Sequence, residues 1–301
     1  MPTDSRRASG PENTLQYYLY SKNKKAYEDF VKDLVNKNNK RKDNRKQNES
    51  RKIFLKTGIV SQAKGSAYIE LQNTKVICSA FDPREIPNRS EFSINGELFC
   101  ELKFATFSCK RRRNFQRDAE EKELSISLKR ALEPAVVRHE FPNFQVDIYA
   151  LVLQNDGSAL AAAITCAGLA LADANIPMYD LVTASSLAIH GNIKLIDPTI
   201  EEESICDTVA LPSVENGPKE RGLATLAYMG NLNQVTILLQ SGVMAVETLI
   251  QMTDNLTSEC LRIYPLVQRC LVEKVMKNIS NIPNLSTEQI IIPETPEEPS
   301  A

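Results

Sequence analysis

DIYALVLQNDGSALAAAITCAGLALADANIPMYDLV, residues 147–182, sets an apolar run beside an alanine-rich one, with Gly157-Ser158 between them. QVDIYALVL, residues 145–153, is apolar on both faces and predicts a buried strand. Ser158 to Ala174 then predicts a helix. A helix that starts at a Gly-Ser turn presents unpaired backbone N–H groups, which suits an anion. Yet no Arg or Lys occurs from Asn155 to Asn175. The stretch is therefore either a phosphate site or the remains of one.

Working outward, KIFLKTGIV predicts a strand and turn from about Ile53. AYIELQNTKVICSAF predicts a hairpin turning at Gln72-Asn73, and ELFCELKFATF a further strand. From Arg117 the pattern becomes helical. Asp118 is placed to cap, Glu121 follows three residues on, and Leu124, Leu128, Leu132 and Ala135 share a face. Pro134 bears on where that helix ends. LVTASSLAI and NIKLI predict strands on either side of His190-Gly191-Asn192, followed by strand candidates TVALPSV, GLATLAYMG and QVTILLQ. A long C-terminal helix is expected over about Met244 to Met276, with Pro265 a potential kink. There is no internal repeat. The fold class is α/β (α+β), with strands outnumbering helices.

The 301 residues are 42% hydrophobic, enough for a large core, and the net charge of −2 names no partner. The charge is unevenly placed. Residues 21–52 hold twelve Lys/Arg against five Asp/Glu, whereas acidic residues alone follow Lys277. Composition divides the chain into a basic, flexible arm over 1–51 (with a short helix around Lys25 to Val35), an ordered domain over 52–277, and a disordered acidic tail over 278–301. The arm reads as a solvated segment, with nucleic-acid contact or nuclear targeting as the functional alternative. The N-terminus lacks an apolar signal core, and Ser158 to Ala172 is too short to span a bilayer. Seven scattered cysteines without a CxxC pair suggest reduced thiols in cytosol or nucleus, with Cys78, Cys166 and Cys270 in core runs.

Two histidines, His139 and His190, lack a neighbouring nucleophile or metal-ligand spacing, so neither a hydrolase triad nor a zinc site is supported. Asp197 ends an apolar strand in IDPTIEEE, and Glu203 follows six residues later. Such a pair suits a divalent ion or acid/base work; it equally suits a helix-capping acidic turn, the simpler reading of the pair alone. Lys110, Arg111, Arg112 and Arg113, with Phe107 and Phe115 nearby, suit phosphate-backbone contact and base stacking, or a plain surface loop.

These residues together resemble the RNase PH family of 3′-end RNA phosphorolytic domains. The resemblance runs from Lys52 to Lys277 and is carried by GIVSQAKGSAYIELQNTKVICSAFDPRE, LKRALEPAVV, the opening stretch and LIDPTIEEE. It implies an RNase PH-like fold: two βαβα-type halves, mixed sheets packed on helices, and assembly of such domains into a ring around an RNA channel. In active members a Gly-[Ser/Thr]-Arg loop holds phosphate, and an aspartate pair assists attack on the terminal phosphodiester.

In that register Leu160 stands where active members carry arginine, and Glu203 replaces the second aspartate. Leucine offers neither charge nor a bidentate fork, a loss of about 3 kcal/mol or more. A carboxylate displaced by ~1 Å costs ~100-fold in rate. The remnant positions Ser158, Leu160, Asp197 and Glu203 thus point away from an enzyme, with no cofactor and no metal. The resemblance suggests a non-catalytic ring subunit of the eukaryotic RNA exosome, acting in 3′-to-5′ RNA processing and degradation in nucleus, nucleolus and cytoplasm. Its implied partners are other RNase PH-like subunits (an Rrp-forty-two-type dimer partner), an S1-domain cap and single-stranded RNA in the channel, with no membrane. Lys110 to Arg113, Arg84 and Arg89 would meet that RNA. The rival readings are an active phosphate-dependent exoribonuclease, favoured by Gly157, Ser158 and Asp197, and a free-standing RNA-binding module.

Overall fold

The computed structural model describes residues 40–86, 92–110, 112–191, 193–206 and 220–280. The chain divides into two units, Met1–Gln47 and Asn48–Ala301, a boundary ahead of the compositional one at residue 51. Of the first unit, the described residues form a turn closed by a Lys40–Lys46 bridge, with Asp43 paired to Arg45 at 2.5 Å. The helix expected near Lys25, the strand expected at TVALPSV and the tail beyond Ser280 lie outside the described residues.

The second unit begins with β1 (Ile53–Thr57), β2 (Gly65–Leu71), β3 (Thr74–Ala80), β4 (Arg84–Glu85) and β5 (Glu97–Phe104). Helix α1 (Ala119–Leu132), β6 (Phe144–Gln154) and α2 (Ala159–Asp173) complete its first half. The second half is β7 (Val182–His190), β8 (Ile193–Ile196), α3 (Ile200–Cys206), β9 (Arg221–Met229), β10 (Gln234–Val243) and α4 (Val246–Ser280). The last helix thus runs beyond the Met276 expected for its end.

β1, β2, β3 and β6 pair antiparallel in order, β4 prolongs the β3 side of β6, and β5 joins the far side of β6 in parallel. The expected hairpin forms: Leu71 pairs with Thr74 across a two-residue turn in which Gln72 has φ 53°. The second sheet, β10-β9-β7-β8, is antiparallel throughout.

Helix α2 packs against β2 and β3 on one side and β7 on the other. This placement explains its composition. A helix covered all round gains nothing from a polar face, and small residues let the sheets come close. A Cβ on Gly168 would sit 3.0 Å from the Val182 carbonyl oxygen, and one on Gly65 would sit 2.2 Å from the Ala174 backbone nitrogen. The larger core joins α1 and α2 to the inner face of the first sheet through Leu98, Leu102, Leu128, Leu132, Ile148 and Ile164. A smaller core seats Met252, Leu256 and Cys260 of α4 on Leu187 and Ile189 of β7.

β7 is therefore buried on both faces, but β6, from which that was expected, is not. Val146, Ile148, Ala150 and Val152 are buried, while Leu151 on the opposite face is 39% exposed. The reason is architectural: among the described residues, helices cover only one face of the first sheet.

Helix α1 starts as expected after Asp118, and the Glu121 side chain accepts from the Asp118 N–H at 3.3 Å. Its other oxygen accepts from the Phe104 N–H at 2.9 Å, so the capping residue also fastens helix to strand. Cys78 and Cys166 are buried, Cys270 is partly buried, and all seven thiols are free. No helix of the described residues is long and apolar enough to cross a membrane.

Candidate functional site

The loop before α2 meets the loop after β8. Gly157 has φ 89° and Ser158 φ 56°, so two consecutive residues hold left-handed backbone. Glycine is required first: a Cβ there would lie 2.4 Å from the Pro198 carbonyl oxygen and 2.6 Å from the Thr199 carbonyl carbon. Gly157→Ala is expected to lower stability by roughly 2–4 kcal/mol, from positive-φ strain plus forced backbone movement. Chemical denaturation measures it; an unchanged midpoint would mean the two loops are not in fixed contact.

Ser158 is buried, and its side chain is committed to the second loop and to β7. Its hydroxyl lies 3.2 Å from the Pro198 carbonyl oxygen and 2.6 Å from the Ser186 hydroxyl. Its backbone N–H, the group a phosphate would claim at this helix start, donates instead to Glu203 Oε1 at 2.6 Å. Glu203 reaches that position because α3 begins at Ile200 and its N–H is held by the Thr199 carbonyl at 2.8 Å. An internal carboxylate therefore occupies the anion position. Burial pushes the Glu203 carboxyl up; the Ser158 N–H and Arg51 pull it down, Asp197 and Asp156 raise it further, and it settles at about 7.

Asp197, buried with φ 51°, is the other half of the site. Both of its oxygens are gripped by Arg51, from Nε at 2.8 Å and from Nη2 at 2.6 Å, and the Arg51 backbone N–H adds a bond of 3.0 Å. Nη1 donates to Thr74 Oγ1 at 3.1 Å and the Asp156 carbonyl at 3.0 Å, and Nη2 to the Gly157 carbonyl at 3.2 Å. A guanidinium has five N–H donors, and every one here has a protein acceptor. Burial opposes the Arg51 charge, but the bond to Asp197 and its charge outweigh that and hold Arg51 above its ordinary pKa.

Arg51 falls in the Lys/Asn-rich stretch read as an arm, and sequence reasoning missed it. Its partner is 146 residues away. It brings an arginine to the Gly157-Ser158 loop from another part of the chain, yet it does not supply the missing fork, because its donors are spent. Leu160 is partly buried and packs against the larger core.

Of the basic residues predicted to meet RNA, three of the four described ones, Lys110, Arg113 and Arg84, are engaged in ion pairs. Lys110 is exposed and pairs with Glu201 at 2.7 Å. Arg113 pairs with Glu120 at 2.9 Å, donates to Cys109 Sγ at 3.3 Å and stacks 4.2 Å over Phe104. Arg84 pairs with buried Asp147 at 2.6 Å, and Arg112 is exposed. Arg89 and Arg111 lie outside the described residues. Phe107 and Phe115 are both exposed. His139 is exposed; His190 is buried at the end of β7, where burial and then Arg221 lower its pKa. Among the described residues no group of three or more His, Cys, Asp or Glu is arranged to hold a metal ion.

The model of the 3′ exoribonuclease family, domain 1, matches residues 49–177. The human exosome complex component MTR3 is 36% identical over 290 residues, covering 90% of this chain and 96% of that protein. The exosome complex component Rrp41 of Nitrosopumilus maritimus is 35% identical, covering 81% of this chain and 95% of that protein. Among solved structures, the Archaeoglobus fulgidus exosome with RNA bound to the active site superposes with TM-score 0.64 at 20% identity, over 83% of this chain and 97% of that chain. Rice Rrp46 superposes with TM-score 0.62 at 23% identity, over 76% and 98% respectively.

Proposed function

This chain belongs to the 3′ exoribonuclease (RNase PH) family, and from that premise we propose that it is a non-catalytic ring subunit of the RNA exosome, of the MTR3 type. It supports 3′-to-5′ RNA processing and degradation as scaffold and channel wall. Support for the ring comes from relatives that are themselves exosome components, matched over nearly their full length. One observation carries the non-catalytic part: the Ser158 N–H, where a substrate phosphate would bind, is taken by Glu203.

Two further features agree. Leu160 contributes no charge, and the Asp197 carboxylate is bound on both oxygens by Arg51. A carboxylate so engaged is a poor proton acceptor or metal ligand, since either role must first displace a buried bidentate pair.

The proposed partners are further RNase PH-like subunits, with an Rrp-forty-two-type dimer partner, and an S1-domain cap. Single-stranded RNA passes Lys110, Arg111, Arg112, Arg113, Arg84 and Arg89. The Lys110–Glu201 pair is a surface ion pair worth only ~0–1 kcal/mol, so RNA phosphate can displace Glu201 at little cost. Nucleus, nucleolus and cytoplasm are the proposed compartments. The proposed division is an N-terminal arm, an RNase PH-like domain that begins by Asn48 and so includes Arg51, and an acidic tail.

The test is phosphorolysis. The chain is co-purified with its dimer partner and given 3′-single-stranded RNA with and without inorganic phosphate. Nucleoside diphosphate release is then assayed, with Asp197→Asn as the control for contaminating nuclease. The expected result is no phosphate-dependent release. Release that disappears in Asp197→Asn would make this chain an enzyme.

A further inference from the structure

Among the described residues, no helix covers the outer face of the first sheet. The pairing registers draw a single row across it: Lys56 beside Tyr68, Tyr68 beside Ile77, Ile77 beside Leu151, and Leu151 beside Lys103. Successive strand residues alternate faces, so the neighbours on this side are Phe54, Tyr149 and Phe99. Phe54 stands edge-on to Tyr68 at 6.3 Å and is 53% exposed. Tyr149 stands edge-on to Phe81 at 5.7 Å and to Phe99 at 6.0 Å, with Phe99 37% exposed. The result is a band of aromatic rings and aliphatic side chains with an exposed lysine at each end.

The charges on this face are asymmetric once pairs are removed. Glu70 is met by Lys75 at 3.5 Å, Asp147 by Arg84 at 2.6 Å and Glu101 by Arg117 at 4.0 Å. Glu97 is likewise not free. Among the described residues Lys56 and Lys103 have no acidic partner. The face therefore offers uncompensated positive charge at two points about 19 Å apart, four interstrand steps, with π-faces between them.

We propose that this outer face of the first sheet binds single-stranded RNA, with bases stacked on Tyr68, Tyr149, Phe54 and Phe99 and phosphates met by Lys56 and Lys103. Sheet-borne aromatics flanked by cations are how four-stranded RNA-recognition sheets hold two or three bases. Stacking tolerates any base, which suits a protein that handles RNA without regard to sequence. A protein partner fits the charge pattern less well, since lysine is depleted at protein–protein interfaces. The surface is distinct from the Lys110–Arg113 loop and stands whether or not the chain is catalytic.

The test uses the full-length chain, alone and co-purified with an RNase PH-like partner, and a fluorescein-labelled oligouridine of twelve nucleotides. Anisotropy titrations are run over a series of KCl concentrations. Phe99→Ala and Phe54→Ala should each weaken binding about 10-fold with an unchanged salt slope. Lys56→Gln with Lys103→Gln should reduce that slope by roughly 1.4, the contribution of two single-strand phosphate contacts. All four side chains are exposed, and a thermal melt on each variant excludes misfolding. Photocrosslinking with 4-thiouridine RNA should mark Tyr68 or Tyr149. Affinity and slope unchanged in every variant would overturn the proposal. So would variants that lose the protein partner while binding RNA normally, because the face would then be a subunit interface.

Discussion

Arg51→Ala is expected to destabilise the fold by about 3–5 kcal/mol, the cost of breaking a buried ion pair from one side. The Arg51 side chain is 0% exposed and that of Asp197 9%. Truncation takes the guanidinium away from a buried carboxylate, and frees the Asp156 and Gly157 carbonyls and the Thr74 hydroxyl from their shared donor. Arg51→Lys is expected to recover less than half of that loss. An ammonium is a point charge with three donors; it cannot bridge both Asp197 oxygens and also reach Thr74 and two carbonyls. Arg51→Met combined with Asp197→Leu should cost less than the sum of the single changes, because no orphaned charge remains. Urea denaturation of the natural chain, Arg51→Met, Asp197→Leu and the double variant gives the cycle. A loss below about 1 kcal/mol for Arg51→Ala would mean that the pair behaves as a solvated surface one. A loss of the expected size is a large share of a domain's usual stability of ~5–15 kcal/mol. It would identify the Asp197 position as a structural joint.

That joint shows where sequence reasoning stops. The hairpin at Gln72-Asn73, the strand–Gly-Ser–helix unit and the long C-terminal helix were legible because each leaves a local trace: alternation, a turn residue, or apolar spacing near 3.6. Leu160 and Glu203 are departures only from the pattern that the resemblance implies. Arg51 left no such trace. It sits among lysines and asparagines, where a window of composition reads solvent, and its meaning depends on Asp197, far along the chain. Thr74 was missed for the same reason: as the first residue of β3 it reads as an ordinary strand residue, yet its hydroxyl donates to the Gly157 carbonyl at 2.9 Å and accepts from Arg51 at 3.1 Å. The exposure of the outer face of β6 was misread because apolarity on both sides of a strand says only that both sides avoid water. It does not say what covers each side. Glu203 was placed correctly beside Asp197, but sequence gave no means to see its carboxylate turn to the Ser158 N–H.

Glu203→Gln is expected to flatten the pH dependence of stability between about pH 4.5 and 7, and to raise stability above pH 7 by roughly 3 kcal/mol. The sign follows from which state holds the proton. The ordinary value is 4.5 and the folded value about 7, with burial the main cause. Below 4.5 both states are protonated and the group contributes no slope. Between 4.5 and 7 the unfolded chain releases a proton that the folded chain keeps, so stability falls as pH rises. Above 7 the folded state carries a charge on a partly buried side chain and the loss is complete. Arg51 offsets part of this, but its fork is already held by Asp197, and Asp197 and Asp156 add repulsion. Glutamine keeps a carbonyl oxygen for the Ser158 N–H and carries no charge, so the contact survives while the titration disappears. Denaturation midpoints of the natural chain and the variant at pH 5 and pH 8 isolate the effect as a difference of differences; parallel profiles would refute it. Because the amide still fills the anion position, the stabilised variant should gain no phosphorolytic activity. Greater stability without activity is the outcome that separates a site filled by its own side chain from one that merely lacks a charge.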